Sequence, residues 1–244
     1  MKTLNRITGL ALVAATLGFA AQSVSAQALY TLSGGAVRDS VVTTTKTGFS
    51  FVNDNFGGNV GFDFTPTANE SVTSLGFFNY NGTATAGAGL TNSHTVGLYD
   101  PSGTLLASTT ITAGSVGTAD TNGSVFVYNS VAPVSLTSGI KYTLFGTASP
   151  SPGDGFVQNA TGVIYNGITY NKNQYNVSTT LSGTRLAGSG TDGQQPGYFG
   201  PNATIIAGAA APEPAQTAAL GLFGLGLGAL VLKARKRKAN SMAV

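Results

Sequence analysis

The sequence predicts an all-β protein, a β-sandwich or jelly-roll body with a signal peptide at its amino end and a transmembrane helix at its carboxyl end. Three observations predict the class of the body. Apolar and polar residues alternate at period two through several segments, the pattern of half-buried strands. Gly, Pro, Asn and Ser interrupt these runs at short intervals, as turns do. Helical periodicity is hard to find between residues 27 and 211. Roughly nine short strands in one domain suit packed antiparallel sheets.

Taken in order, the chain starts with Lys2 and Arg6, runs through a mostly apolar stretch at 7–21 and reaches Val24-Ser25-Ala26. That is an export signal, and signal peptidase should cut after Ala26 to leave Gln27 first. An anchored helix would need a longer apolar run. Strands are expected at 49–52, 60–64, 72–78, 95–99, 105–111, 125–131, 141–147, 163–170 and 203–206. Val60, Phe62 and Phe64, for example, alternate with Gly61 and Asp63. Asp100-Pro101-Ser102-Gly103 has the preferences of a type I turn, which should join 95–99 to 105–111 as a hairpin. Residues 82–91, with Leu90 the one large apolar side chain, read as a long exposed loop, and 188–197, with Gln194 and Gln195, as another. Asn53-Asp54-Asn55 with Gly57-Gly58-Asn59 reads as a hairpin loop. Its oxygens make Asn53, Asp54 and Asn55 a weak calcium candidate, without the spacing or closing Glu of an EF-hand.

At the carboxyl end, Pro212-Glu213-Pro214 precedes an uncharged stretch at 215–232 and the cluster Lys233, Arg235, Lys236, Arg237 and Lys238. At about 1.5 Å of helical rise per residue, 215–232 just crosses a bilayer of about 30 Å. The basic cluster would stay in the cytoplasm and hold the rest of the chain outside. Gly224 and Gly228 give a spacing that could seat a second helix. This three-part end resembles the PEP-CTERM sorting signal of Gram-negative bacteria that make extracellular polysaccharide. The resemblance implies cleavage near Pro212 by an exosortase, which makes the helix a temporary membrane anchor. The expected division is therefore 1–26 signal peptide, 27–211 exported domain and 212–238 sorting signal.

A second resemblance covers residue 51 to about 146. Asn92-Ser93-His94-Thr95-Val96-Gly97-Leu98-Tyr99-Asp100, then Gly103-Thr104-Leu105-Leu106-Ala107-Ser108, and later Pro133-Val134-Ser135-Leu136 with Gly139 and Tyr142, resemble a domain of unknown function common in bacterial surface proteins. Gly197-Tyr198-Phe199-Gly200-Pro201-Asn202 is similar to the closing strand of many PEP-CTERM proteins. The resemblance implies an extracellular β-sandwich and no particular reaction.

Charge excludes one class of partner. The whole chain carries +3, with seven of its twelve bases in the two end signals. Between 27 and 211, Arg38, Lys46, Lys141, Lys172 and Arg185 face eight acids, a net of −3. A nucleic-acid role is not expected. With no cysteine, an exported domain must be held by its apolar core. Six Asn-x-Ser/Thr triplets, at Asn69, Asn81, Asn122, Asn159, Asn176 and Asn202, are taken as polar surface.

Candidates for chemistry are few. His94 is the single histidine, so a His-rich metal site is excluded and a Ser-His-Asp triad would have to use it. No G-x-S-x-G elbow accompanies it. The expected role is a hydrogen bond at a strand start that fixes the loop before it, worth on the order of 1 kcal/mol. Asp54, Asp63, Glu70, Asp100, Asp120, Asp154 and Asp192 could supply a glycosidase pair, but several sit among turn residues. Tyr80, Tyr99, Tyr128, Tyr165, Tyr170, Tyr175 and Tyr198 could stack on sugars, although the chain has no Trp. The reading that follows is a non-enzymatic surface or matrix protein associated with exopolysaccharide. It has no catalytic residues and no cofactor, and its processing partners are signal peptidase and exosortase. Carbohydrate binding or adhesion is the alternative, marked by an aromatic patch on one exposed face or a tight cation site in the Asn53–Asn59 loop, and a secreted glycan hydrolase ranks third.

Overall fold

The computed structural model describes residues 25–39, 46–150, 153–183 and 197–208. The expected sorting segment 212–238, residues 1–24 of the expected export signal, and the expected 188–197 loop except Gly197 lie outside them. Among the described residues no helix is long and apolar enough to cross a membrane.

The described residues form thirteen strands and one short helix: β1 (Gln27–Ala28), β2 (Tyr30–Asp39), β3 (Phe49–Asn53), β4 (Gly58–Pro66), β5 (Glu70–Phe78), α1 (Tyr80–Ala84), β6 (His94–Tyr99), β7 (Leu105–Ile111), β8 (Thr118–Ala119), β9 (Val125–Leu136), β10 (Tyr142–Ala148), β11 (Phe156–Ile164), β12 (Ile168–Asn176) and β13 (Pro201–Ala207). Two five-stranded sheets, ordered β1-β13-β5-β9-β8 and β12-β4-β10-β6-β7, pack as a sandwich, and a three-stranded sheet, β11-β2-β3, joins them. Every pairing is antiparallel except β2 with β3.

Alternation explains which residues meet in the middle. Phe62 and Phe64 of β4, Val96 and Leu98 of β6 and Leu144 of β10 face Val72, Leu75 and Phe77 of β5 and Ala203 and Ile205 of β13. Leu32 and Val37 of β2 and Val157 of β11 extend the same core into the three-stranded sheet. Phe199 fastens the sheets together, stacked on Tyr30 at 3.9 Å and tilted against Phe62 at 5.2 Å. Gly200 beside it has no room for a side chain, since a Cβ there would lie 2.7 Å from the Phe77 ring.

The turn at 100–103 forms as its residues dictate. Gly103 N donates to the Asp100 carbonyl at 3.0 Å, while Asp100 Oδ1 accepts from Ser102 N and Thr104 N. Gly103 takes φ +83°, and β6 and β7 pair as a hairpin.

Five expectations need correction. The stretch 163–170 is the β11–β12 hairpin turn, bent at Tyr165–Gly167, because Ile168 N bonds back to the Tyr165 carbonyl. The strand over 30–39 was missed, since Gly34 and Gly35 interrupt its alternation. The 53–59 segment does not close a hairpin, because β3 pairs with β2 and β4 belongs to another sheet. Residues 82–91 are an exposed loop only at 85–87: they begin inside α1, Gly82 and Thr83 are buried, and Leu90 joins the core. Asn176 and Asn202 are fully buried, so those two triplets are not surface.

Candidate binding cleft

The β3–β4 crossover lies where four strands meet at one seam. Arg38 near the end of β2 lies opposite Phe156 of β11, and Val60 of β4 lies opposite Tyr175 of β12. Asp54 and Phe56 come from the crossover itself. Tyr198 comes from the segment before β13, where Phe199 N and O bond to Val157 of β11 at 2.9 and 3.1 Å. Because Phe199 turns inward to stack on Tyr30, the neighbouring Tyr198 turns out to the seam. These residues, with Gln158, line an open cleft of about 280 Å³.

Four rings in this cleft form a closed quartet. Phe56 meets Phe156 edge-on at 5.9 Å and Tyr175 at 6.0 Å, and Tyr198 meets Phe156 at 5.7 Å and Tyr175 at 5.6 Å. Edge-to-face contact is the arrangement the ring quadrupole prefers, so the quartet holds its own geometry. Phe156 is buried, while Phe56, Tyr175 and Tyr198 are half-buried and reach the cleft. Tyr198 adopts φ +59°, a conformation that costs a bulky residue energy and that packing on both sides must enforce.

Polar groups stand beside the rings. Arg38 Nε donates to Asp54 Oδ2 at 2.5 Å, and Arg38 Nη1 donates to Gln158 Oε1. The guanidinium is thereby fixed in a plane with its charge matched. Asp54, the centre of the calcium candidate Asn53-Asp54-Asn55, spends its carboxylate on this pair. Among the described residues no cluster of three or more His, Asp or Glu could hold a metal ion.

His94 lies elsewhere, with no exposed surface. Its ring stacks on Phe77 at 3.8 Å. Nδ1 faces the Thr147 carbonyl at 2.6 Å, which can only accept, so Nδ1 donates. Nε2 meets Asp154 Oδ2 at 2.9 Å. Asp154 also accepts from the backbone N–H of Thr91 at 2.8 Å and of Asn92 at 2.7 Å. Both ring nitrogens are therefore committed to the fold, and a triad would need one of them for a nucleophile. The pair pins the segment before β6.

The other carboxylates have structural partners as well. Asp63 accepts from Thr143 Oγ1 and Gln174 Nε2, and Asp100 and Asp120 bind turn amides. Glu70 bonds to Tyr165, and burial raises its carboxyl above the usual range despite that bond. Asp192 lies outside the described residues. Of the seven tyrosines singled out, Tyr80, Tyr99 and Tyr170 are buried, Tyr128 and Tyr165 half-buried elsewhere, and only Tyr175 and Tyr198 meet in the cleft. Sequence reasoning missed Phe56, Phe156, Arg38 and Gln158, since no local pattern links residues brought together from four strands.

No family model matches the chain, and no curated protein is similar to it. A solved family 35 carbohydrate binding module from an environmental isolate overlays with a TM-score of 0.28 at 18% identity, covering 60% of this chain and 94% of that one. An overlap that slight carries neither ligand nor activity across.

Proposed function

We propose that the chain is an exported, exosortase-processed surface or matrix protein whose β body binds polysaccharide without catalysis. The export and sorting steps rest on the residues at 1–26 and 212–238. The binding step rests on one observation, a ring quartet with three half-buried members beside a fixed Arg38–Asp54–Gln158 group. A pyranose presents apolar C–H faces and a rim of hydroxyls, and this cleft offers flat apolar walls and planar hydrogen-bonding groups at one edge. Because Asp54 balances Arg38, the cleft favours neutral sugars. The sequence put a purely structural matrix role ahead of carbohydrate binding. The half-buried aromatic rings of the cleft support putting carbohydrate binding first.

Titration calorimetry with neutral oligosaccharides prepared from the host's exopolysaccharide tests this. Tyr198→Ala and Tyr175→Ala should each weaken binding by about tenfold or more, on the scale of one lost stacking contact. Unchanged affinity in both variants, or no binding by the wild type, would remove the cleft from the account.

A further inference from the structure

An asparagine followed by glycine brings a side-chain amide and the next backbone nitrogen together most easily, because glycine has no Cβ to obstruct their approach. The chain holds three such pairs, Asn81-Gly82, Asn122-Gly123 and Asn166-Gly167. We propose that Asn166 is a site of self-modification, where the folded chain converts its own amide through a cyclic imide to aspartate and isoaspartate.

Hydrogen bonding separates the three pairs. At the first, Gly82 is buried and its N–H donates to Asn79 Oδ1 at 2.9 Å, while Asn81 Nδ2 donates to Thr91 Oγ1 at 2.9 Å. At the second, Gly123 N donates to the Asp120 carbonyl at 2.9 Å and Asn122 Nδ2 donates to Thr31 Oγ1 at 3.1 Å. Lys46 Nζ also holds the Gly123 carbonyl. Nucleophile and leaving group are thus both tied at each of these pairs. At the third neither is tied. Among the described residues no hydrogen bond reaches Gly167 N or the Asn166 side chain, which stands exposed in the β11–β12 turn. The turn's own bond, from Ile168 N to the Tyr165 carbonyl, lies at the long end of the range at 3.2 Å.

Packing explains why a glycine stands there. A Cβ at position 167 would run into the Tyr165 ring and the Glu70 carboxyl group. The Gly167 carbonyl accepts from Thr67 N at 2.8 Å and Thr67 Oγ1 at 3.0 Å, so the residue is anchored on the far side from its nitrogen.

The conversion needs only water as a co-reactant. Gly167 N gives its proton to solvent and bonds to Asn166 Cγ. The Cγ–Nδ2 bond breaks, and Nδ2 takes up a solvent proton and leaves as ammonia. Water then opens the ring at either carbonyl. One product keeps the original backbone path, and the other routes it through the side chain, which lengthens the turn by one carbon. Both put a carboxylate one residue from Tyr165, the partner of buried Glu70.

The test incubates the full chain, folded, in mildly alkaline buffer and follows each asparagine by peptide mapping with enzymatic labelling of isoaspartate. Asn166 should convert about tenfold faster than Asn81 or Asn122, as expected from two additional hydrogen bonds at each of those pairs. In concentrated urea the three rates should draw together, because the fold supplies the difference. Asn166→Gln should remove the fast conversion. Equal rates at the three sites in the folded chain overturn the proposal. An Asn166 that stays intact in the folded chain yet converts in urea overturns it as well.

Discussion

His94 and Glu70 show how far burial changes the weight of one side chain. As a strand-start hydrogen bond, His94 would be worth about 1 kcal/mol. Buried against Asp154, it is half of an acid–base pair whose other half also holds the amides of Thr91 and Asn92. Removing the ring leaves Asp154 with its two backbone donors but takes away the third partner and empties the buried site beside Phe77, so His94→Ala should cost about 2–4 kcal/mol in urea unfolding. No binding or chemical step should change beyond that loss. Glu70 has the opposite sense. Burial raises its folded-state carboxyl, so its neutral form is favoured, and its contribution is present below the ordinary Glu range and lost as pH rises through the raised value. Glu70→Gln removes that titration. Urea midpoints measured from mildly acid to neutral pH should fall for the wild type and stay flatter for the variant.

Elements differ in how openly the sequence displays them. The β6–β7 hairpin was legible because Asp100-Pro101-Ser102-Gly103 and the alternation of Val96 and Leu98 are local signals that agree. The β11–β12 hairpin was not, because Val163, Tyr165 and Ile168 continue an apolar pattern straight through the turn. Helix α1 was hidden for another reason. Its sequence, Tyr80–Ala84 with a glycine in the middle, has poor helical propensity, and the turn exists because Asn79 caps it. Asn79 Oδ1 accepts from Gly82 N at 2.9 Å and Nδ2 donates to the Ala88 carbonyl at 2.8 Å, both from a fully buried side chain. Asn79→Ala should therefore cost about 2 kcal/mol. Amide exchange should speed up at residues 80–90 more than in β4 or β10, whereas a uniform change would show that the cap acts on the whole sandwich. The aromatic cleft needed the crossover from β3 to β4 to be known, and Arg38 and Asp54, sixteen positions apart, carry no signature of their pairing.

At the scale of the molecule, the all-β sandwich was legible from period-two alternation, and the third sheet was not, because its β2 and β3 pair in parallel, a register that no hairpin turn specifies. The proposed division into exported body and removable ends leads to a direct measurement. Intact mass of the protein released by its native host should correspond to a chain starting at Gln27 and ending near Pro212. A released form that still contains residues 215–232 would refute the processing scheme.

The pairing of β13 also has a mechanical meaning. Its seven residues bond along their length to β5, while β1 touches it only through Gln27 and Ala28. Tyr198 of the aromatic cleft stands just ahead of β13 in the chain. Tension between a sugar held at that cleft and an attachment at the carboxyl end would run along β13. Antiparallel ladder bonds lie across the strand, so this pull loads the β5–β13 bonds side by side, in shear. A pull between the two ends of the body would instead peel β1 away one bond at a time. The strand that leads toward the proposed sorting signal is thus the one best placed to bear load from such a ligand.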